Sequence, residues 1–164
     1  SARGEYEISD IHSDFIKRGL SVGTKEITGW WKDTGKPRDL LIANKLLLDE
    51  MEPHAFARQS DIAEDAEVEG DVHIGIGSTI GPVIIGENCH IENAVVGPHV
   101  TIGSGSTIRR ARLVHSIILE HAEVDVPITI VDSLIGKKAQ LLENKHPEEK
   151  AHTMVLGDKT RIEL

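Results

Sequence analysis

Large rings are scarce in this sequence: two tryptophans, two phenylalanines and one tyrosine among 164 residues. A core built on aromatic packing is excluded, and branched aliphatics must fill the interior instead. Cysteine is nearly absent. With Cys89 alone, an internal disulfide and a cysteine-cluster zinc site are both ruled out. Positive charge is also in deficit, 18 basic against 27 acidic residues for a net charge of −9. No basic face is therefore expected to bind a phosphate backbone, and nucleic acid is not an expected partner. No apolar run approaches the roughly 20 residues of a membrane-crossing helix. The first residues show no basic-then-apolar leader. The expected setting is cytoplasmic, away from any membrane, and the length suits one compact domain or a small domain with part of another.

What the sequence does have is a repeat. From Ile62 an aliphatic residue recurs every five or six positions: Ile62, Val68, Ile74, Ile80, Ile85, Ile91, Val96, Ile102, Ile108, Leu113, Ile118, Val124, Ile130, Ile135 and Leu141. Glycine often follows directly, as at Gly75, Gly81, Gly86, Gly97, Gly103 and Gly136. Four positions on, the residue is often small: Ala66, Ser78, Cys89, Ser106, Ala122, Ala139. Amphipathic helices and hairpin meanders do not give this period, whereas a parallel β-helix does. Three units make one coil, so every third aliphatic stacks. The first face is predicted to carry Ile62, Ile80, Val96, Leu113 and Ile130, and the second Val68, Ile85, Ile102, Ile118 and Ile135. The third would carry Ile74, Ile91, Ile108, Val124 and Leu141. Fifteen units imply about five coils, a prism roughly 24 Å long at strand spacing. Each buried Ile contributes on the order of 2 kcal/mol.

The flanks do not repeat. Residues 1–55 predict a helix capped by Ser9 or Asp10, with Ile8, Ile11 and Phe15 on one stripe and Gly19 as its stop. A strand-like stretch runs from Ser21 to Trp31. A second helix begins near Pro37, suited to the first turn, with Leu40, Leu47, Leu48 and Met51 on its buried side and Pro53 beyond its end. This segment reads as a small α/β remnant. Residues 56–164 form the β-helical part, with Glu143 to His152 as a charged loop. Met154–Leu156 and Thr160–Leu164 would return as strands covering the last coil, since an open end invites aggregation.

The string Gly29-Trp30-Trp31-Lys32-Asp33-Thr34-Gly35-Lys36-Pro37, together with residues 1–10, the Leu-rich helix, the hexapeptides and Val155-Leu156-Gly157-Asp158, resembles the long-form glucose-1-phosphate thymidylyltransferases. The resemblance covers essentially the whole chain. It implies a left-handed parallel β-helix preceded by the end of a nucleotidyltransferase domain. The crossover rule by itself would favour a right-handed turn. The implied reaction joins dTTP and glucose 1-phosphate into dTDP-glucose and pyrophosphate, with Mg²⁺ as cofactor. The family's Gly-Thr-Arg nucleotide loop and Glu-Lys-Pro motif do not occur here. The chain is thus expected to be a C-terminal part, inactive by itself and supplying no catalytic residue, with a role as scaffold and oligomerisation module. Its own subunits are the expected partners, as a homotrimer or next a dimer.

Within the motif, the resemblance makes Asp33 one of two carboxylates that bind the metal. The competing reading is an aspartate that satisfies turn amides before Gly35. Trp31 aligns with a tryptophan beside the sugar-phosphate pocket, with core packing of the Trp30–Trp31 pair as the competitor. Arg3, Glu5 and Glu7 read as a solvated or salt-bridged face. His73 and His90 should stack one coil apart at an outer corner, as a surface ladder rather than a shared metal site, and His115 with His121 gives only a loose hint of a zinc site. Cys89 reads as a packed thiol. The alternative function is a hexapeptide acyltransferase using acetyl-CoA on amino-sugar phosphates, although no repeat unit is lengthened into the loop such enzymes use.

Overall fold

In a computed structural model the described residues are 4, 7–51, 66–68, 73–74, 77–79 and 81–143. The chain divides into two compact units, 1–32 and 33–164.

The first unit holds helix α1 (Ile8–Lys17). Its N-cap is Glu7, which makes no side-chain cap bond. Ser9 and Asp10, the expected caps, lie inside the helix because the Asp10 amide already bonds the Glu7 carbonyl at 3.0 Å. Gly19 does end the helix. It adopts φ +71°, and the Gly19 and Leu20 amides return to the carbonyls of Ile16 and Phe15, the doubled closure that favours glycine after a helix. The strand expected over Ser21–Trp31 is not formed. A strand needs a neighbour to take its amides and carbonyls, and none of the described strands lies in this unit.

The second unit opens with α2 (Pro37–Asp49), started by Pro37 as the sequence predicts. Its buried residues are Leu41 and Leu48, while Leu40 and Leu47 are 40% and 55% exposed. Leu48 is buried as expected, and the rest of the buried stripe is turned by about one residue, to Leu41 in place of Leu40. Pro53 lies outside the described residues.

Fourteen described strands follow, the first seven being β1 (Ala66–Val68), β2 (His73–Ile74), β3 (Gly77–Thr79), β4 (Val83–Ile85), β5 (His90–Glu92), β6 (Ala94–Val96) and β7 (Val100–Ile102). The others are β8 (Thr107–Arg109), β9 (Arg112–Val114), β10 (Ser116–Ile118), β11 (Glu123–Asp125), β12 (Thr129–Val131), β13 (Leu134–Ile135) and β14 (Gln140–Leu142). They form three parallel sheets, β1-β4-β7-β10-β13, β2-β5-β8-β11-β14 and β3-β6-β9-β12. Every third strand pairs, which is the topology of a parallel β-helix. The described strands make four complete coils and two strands of another.

Two of the three predicted stacks hold residue for residue. Val68, Ile85, Ile102, Ile118 and Ile135 are in register, as are Ile74, Ile91, Ile108, Val124 and Leu141. The remaining face needs one correction: Thr79, not Ile80, pairs with Val96, ahead of Leu113 and Ile130. Register follows the backbone ladder, and with Thr79 each step along that face is the same 17 residues of sequence. Ile62 and Ile80 lie outside the described residues.

The axis is dry. Ile85, Ile91, Val96, Ile102, Ile108, Leu113, Ile118 and Val124 are all buried, whereas Leu141, on the last described strand, is 37% exposed. Val83 and Val100 point inward as well, two residues before their partners, as strand alternation requires. Cys89, Ser106 and Ala122 fill one corner below the axis, with Ala94 and Ala111 at another position. Buried Ser106 is satisfied: its hydroxyl donates to the Leu119 carbonyl and accepts the Ala122 amide. The expected loop beyond Glu143 and the closing strands lie outside the described residues.

Candidate functional site

At each corner the chain must turn sharply while its amides stay in the ladder. Most of the described corners solve this with a residue at positive φ. Asn88, Gly105, His121 and Lys138 occupy one corner, Asn93 and Arg110 the next, and His99, His115 and Asp132 the third. Asn, Asp and His tolerate this backbone region better than most residues. The ladder continues through it: the His99 amide bonds Pro82 O at 2.7 Å and the His115 amide bonds Pro98 O at 2.9 Å. Side chains at such a corner are stacked coil upon coil.

The third corner carries the densest chemistry among the described residues. His115 Nδ1 pairs with the Asp132 carboxylate, and the His115 ring meets the His99 ring edge-on with centroids 6.3 Å apart. Because Nδ1 faces a carboxylate, the proton of a neutral His115 sits there. Its Nε2 is buried without a hydrogen-bond partner among the described residues. On the other side, His99 Nε2 lies 2.6 Å from Asp49 Oδ1, while Lys45 Nζ bonds Asp49 Oδ2 at 2.5 Å. The Lys45 and His99 bonds hold the Asp49 carboxyl below the usual carboxylate range.

Helix α2 lies against β7 and β10 at this corner. Thr101 donates its hydroxyl to Asn44 Oδ1 at 2.6 Å, and Asn44 Nδ2 donates to the His99 carbonyl at 3.4 Å. Leu41, Asn44, Leu48 and Asp49 share one helical stripe, which explains the rotation noted above. The outer face of the coil offers α2 polar partners as well as apolar ones, and hydrophobicity alone points to the neighbouring stripe.

Asp33 precedes α2 by four residues. Its Oδ1 accepts the Gly35 amide at 3.2 Å, so the turn reading of this residue is realised. The side chain is exposed, which leaves a carboxylate able to serve as one ligand of Mg²⁺, an ion that takes one or two carboxylates beside phosphates and water. Among the described residues no group of three or more His, Cys, Asp or Glu could hold a metal ion. Asp33 fits as a partial site only. Trp31, in the first unit, is 73% exposed and Trp30 40%; core packing does not account for Trp31.

The other sequence candidates separate. His73 and His90 are in register, but within strands of the second sheet rather than at a corner, and His90 Nε2 lies 3.4 Å from Glu92. His115 and His121 occupy different corners and do not converge. Cys89 is buried, its thiol donates to the Gly103 carbonyl at 3.3 Å, and desolvation pushes its pKa up. It is a packed thiol. Arg3 and Glu5 lie outside the described residues. The sequence reading passed over Asn44, Asp49, His99 and Thr101. A signal existed: His99, His115 and Asp132 recur at 16 and 17 residues, one coil apart.

Comparison with known proteins gives a coherent picture. The GMPPB C-terminal domain family matches residues 79–163. The glucose-1-phosphate thymidylyltransferase of Streptomyces antibioticus is 32% identical over 170 residues, covering 100% of this chain and 47% of the relative. That of Streptomyces griseus is 32% identical over 168 residues with the same coverage. The low-salt glycan biosynthesis nucleotidyltransferase Agl11 of Haloferax volcanii is 30% identical over 126 residues, 58% of this chain and 34% of the relative. The chain spans about half the length of the thymidylyltransferases it matches. Among the described residues, no helix is long and apolar enough to cross a membrane.

Proposed function

The chain belongs to the GMPPB C-terminal domain family, and on that premise we propose that it is the C-terminal part of a glucose-1-phosphate thymidylyltransferase. The observation that carries this reading is similarity to such enzymes over the full length of the chain, the Asp33 motif included. In the reaction, an oxygen of glucose 1-phosphate attacks the α-phosphorus of dTTP in line. The bond to pyrophosphate breaks and dTDP-glucose forms. Asp33 would hold Mg²⁺ together with a second carboxylate, and Trp31 would border the sugar phosphate. Bound there, the ion offsets the charge on the transferring phosphoryl group.

The coil is a scaffold for self-association, as a homotrimer with a dimer as the next arrangement. Val131 on β12 and Ile128 beside it, 48% and 45% exposed, are apolar surface that a second copy would cover. The setting is the cytoplasm, where nucleoside triphosphates are available.

Pyrophosphate release from dTTP and glucose 1-phosphate tests the reading, using a polypeptide of the relatives' length that carries this chain. Release is expected there and not from residues 1–164 alone, and Asp33→Ala should lower it at least about 100-fold. Absence of transfer in the long polypeptide overturns the reading. Coenzyme A release from acetyl-CoA by residues 1–164 would favour the acyltransferase alternative instead. Light scattering behind gel filtration decides the trimer.

A further inference from the structure

The polar groups that fasten α2 to the coil have no part in the reaction as written above. Yet α2 carries the Asp33 turn at its front end. Three residues separate Asp33 from Pro37, and two features fix this stretch: the Asp33–Gly35 hydrogen bond and the proline at the first helical position. Any tilt of the helix is passed to the carboxylate.

We infer that Asn44, Asp49, His99 and Thr101 are positioning residues that set where the Asp33 carboxylate stands, an inference that rests on the nucleotidyl-transfer reading above. Four observations carry it. Asn44 is held at both ends of its amide, by the Thr101 hydroxyl and the His99 carbonyl. Both Asp49 oxygens are engaged, Oδ2 by Lys45 of the same helix and Oδ1 by His99 of the coil. His99 sits on a corner tied by its own amide to Pro82, and its ring is backed by His115, which Asp132 holds from the next coil. Leu41 and Leu48 are buried along the same stripe.

The anchors cover the helix from Leu41 to Asp49 and leave its first turn to carry Asp33 outward. From Leu41 to the first helical residue, Pro37, the helix extends about 6 Å, so a tilt of about 10° moves that end by about 1 Å. Displacements of that size can cost on the order of 100-fold in rate.

The experiment has two arms. In residues 1–164, hydrogen exchange is followed at α2 and at the strands of 83–131. The variant Asn44→Ala/Asp49→Ala should exchange at least about tenfold faster in α2, with the strands unchanged. In the long polypeptide the same variant should lower kcat about tenfold and raise about tenfold the Mg²⁺ concentration for half-maximal velocity, with KM for glucose 1-phosphate held. Thr101→Val should shift the Mg²⁺ requirement in the same direction, and Thr101→Ser, which keeps the hydroxyl, should restore it. Unchanged exchange in α2 overturns the inference. So does faster exchange with an unaltered Mg²⁺ requirement, because the anchors would then serve stability only. A long polypeptide without nucleotidyl transfer overturns the functional reading and this inference with it, and the exchange arm separates that failure from a failure of the anchors.

Discussion

Truncating one aliphatic in the middle of the coil and one at its end tests the column as a physical object. Leu113 is fully buried between Val96 and Ile130, whereas Leu141 is 37% exposed on the last described strand. Leu113→Ala removes the transfer energy of the lost methylenes and leaves a cavity that the neighbouring coils cannot close. Buried leucines lose about 3–5 kcal/mol on such truncation. Leu141→Ala removes surface that is partly in water already and leaves no closed void, so about 1 kcal/mol is expected. For a chain of this size, 3 kcal/mol corresponds to a fall in Tm of about 6–12 °C. Urea unfolding followed by far-ultraviolet circular dichroism reads both variants, with the m value checked for loss of two-state behaviour, since stacked coils can uncouple. Equal losses at the two positions would refute the reasoning, because the column would then have no interior distinct from its end.

Glycine at the stacked corners offers a second comparison. A methyl group on Gly103 would lie 2.7 Å from the Glu120 amide nitrogen, while one on Gly136 would meet nothing within 4 Å. Gly103→Ala should cost about 1–3 kcal/mol and Gly136→Ala should be neutral or slightly stabilising, measured by the same unfolding curves. Asp49 gives a pH dependence. Its folded pKa is depressed, by Lys45 first and His99 next. Its contribution, within α2 through Lys45 and to docking through His99, is therefore full above the ordinary carboxylate range and lost as pH falls through the lower folded value. Exchange of α2 amides, taken relative to the intrinsic rate at each pH, should rise on that acid limb, and Asp49→Asn should abolish the dependence. Cys89, buried and with its pKa raised, should react with a disulfide reagent only after denaturation, as thiol absorbance assays would record.

Much of the coil was legible beforehand because its code is local. An aliphatic every five or six residues states which side chain of each short strand turns inward, and two faces of the prism follow from counting. Pro37 announces α2 and Gly19 ends α1 for equally local reasons: one has its φ fixed and the other tolerates positive φ. Cys89 falls in the small-residue series and is buried there. The expectations that failed depended on neighbours. Ser21–Trp31 has strand composition but no strand beside it. The pairing of Thr79 rather than Ile80 with Val96 was decided by the backbone ladder, to which hydrophobicity is blind.

The sequence by itself therefore determined the architecture, three parallel stacks around an aliphatic axis, and located the Asp33 motif. Only the tertiary structure decided which face of α2 is buried and what holds it. Asn44 and Thr101 are 57 residues apart and Asp49 and His99 are 50 apart, so no local period joins them. They meet because a positive-φ corner presents His99, and the strand after it presents Thr101, toward a helix that the chain placed there long before. Periodicity records which way a residue faces within its own element, whereas a hydrogen bond between elements requires both to be in place.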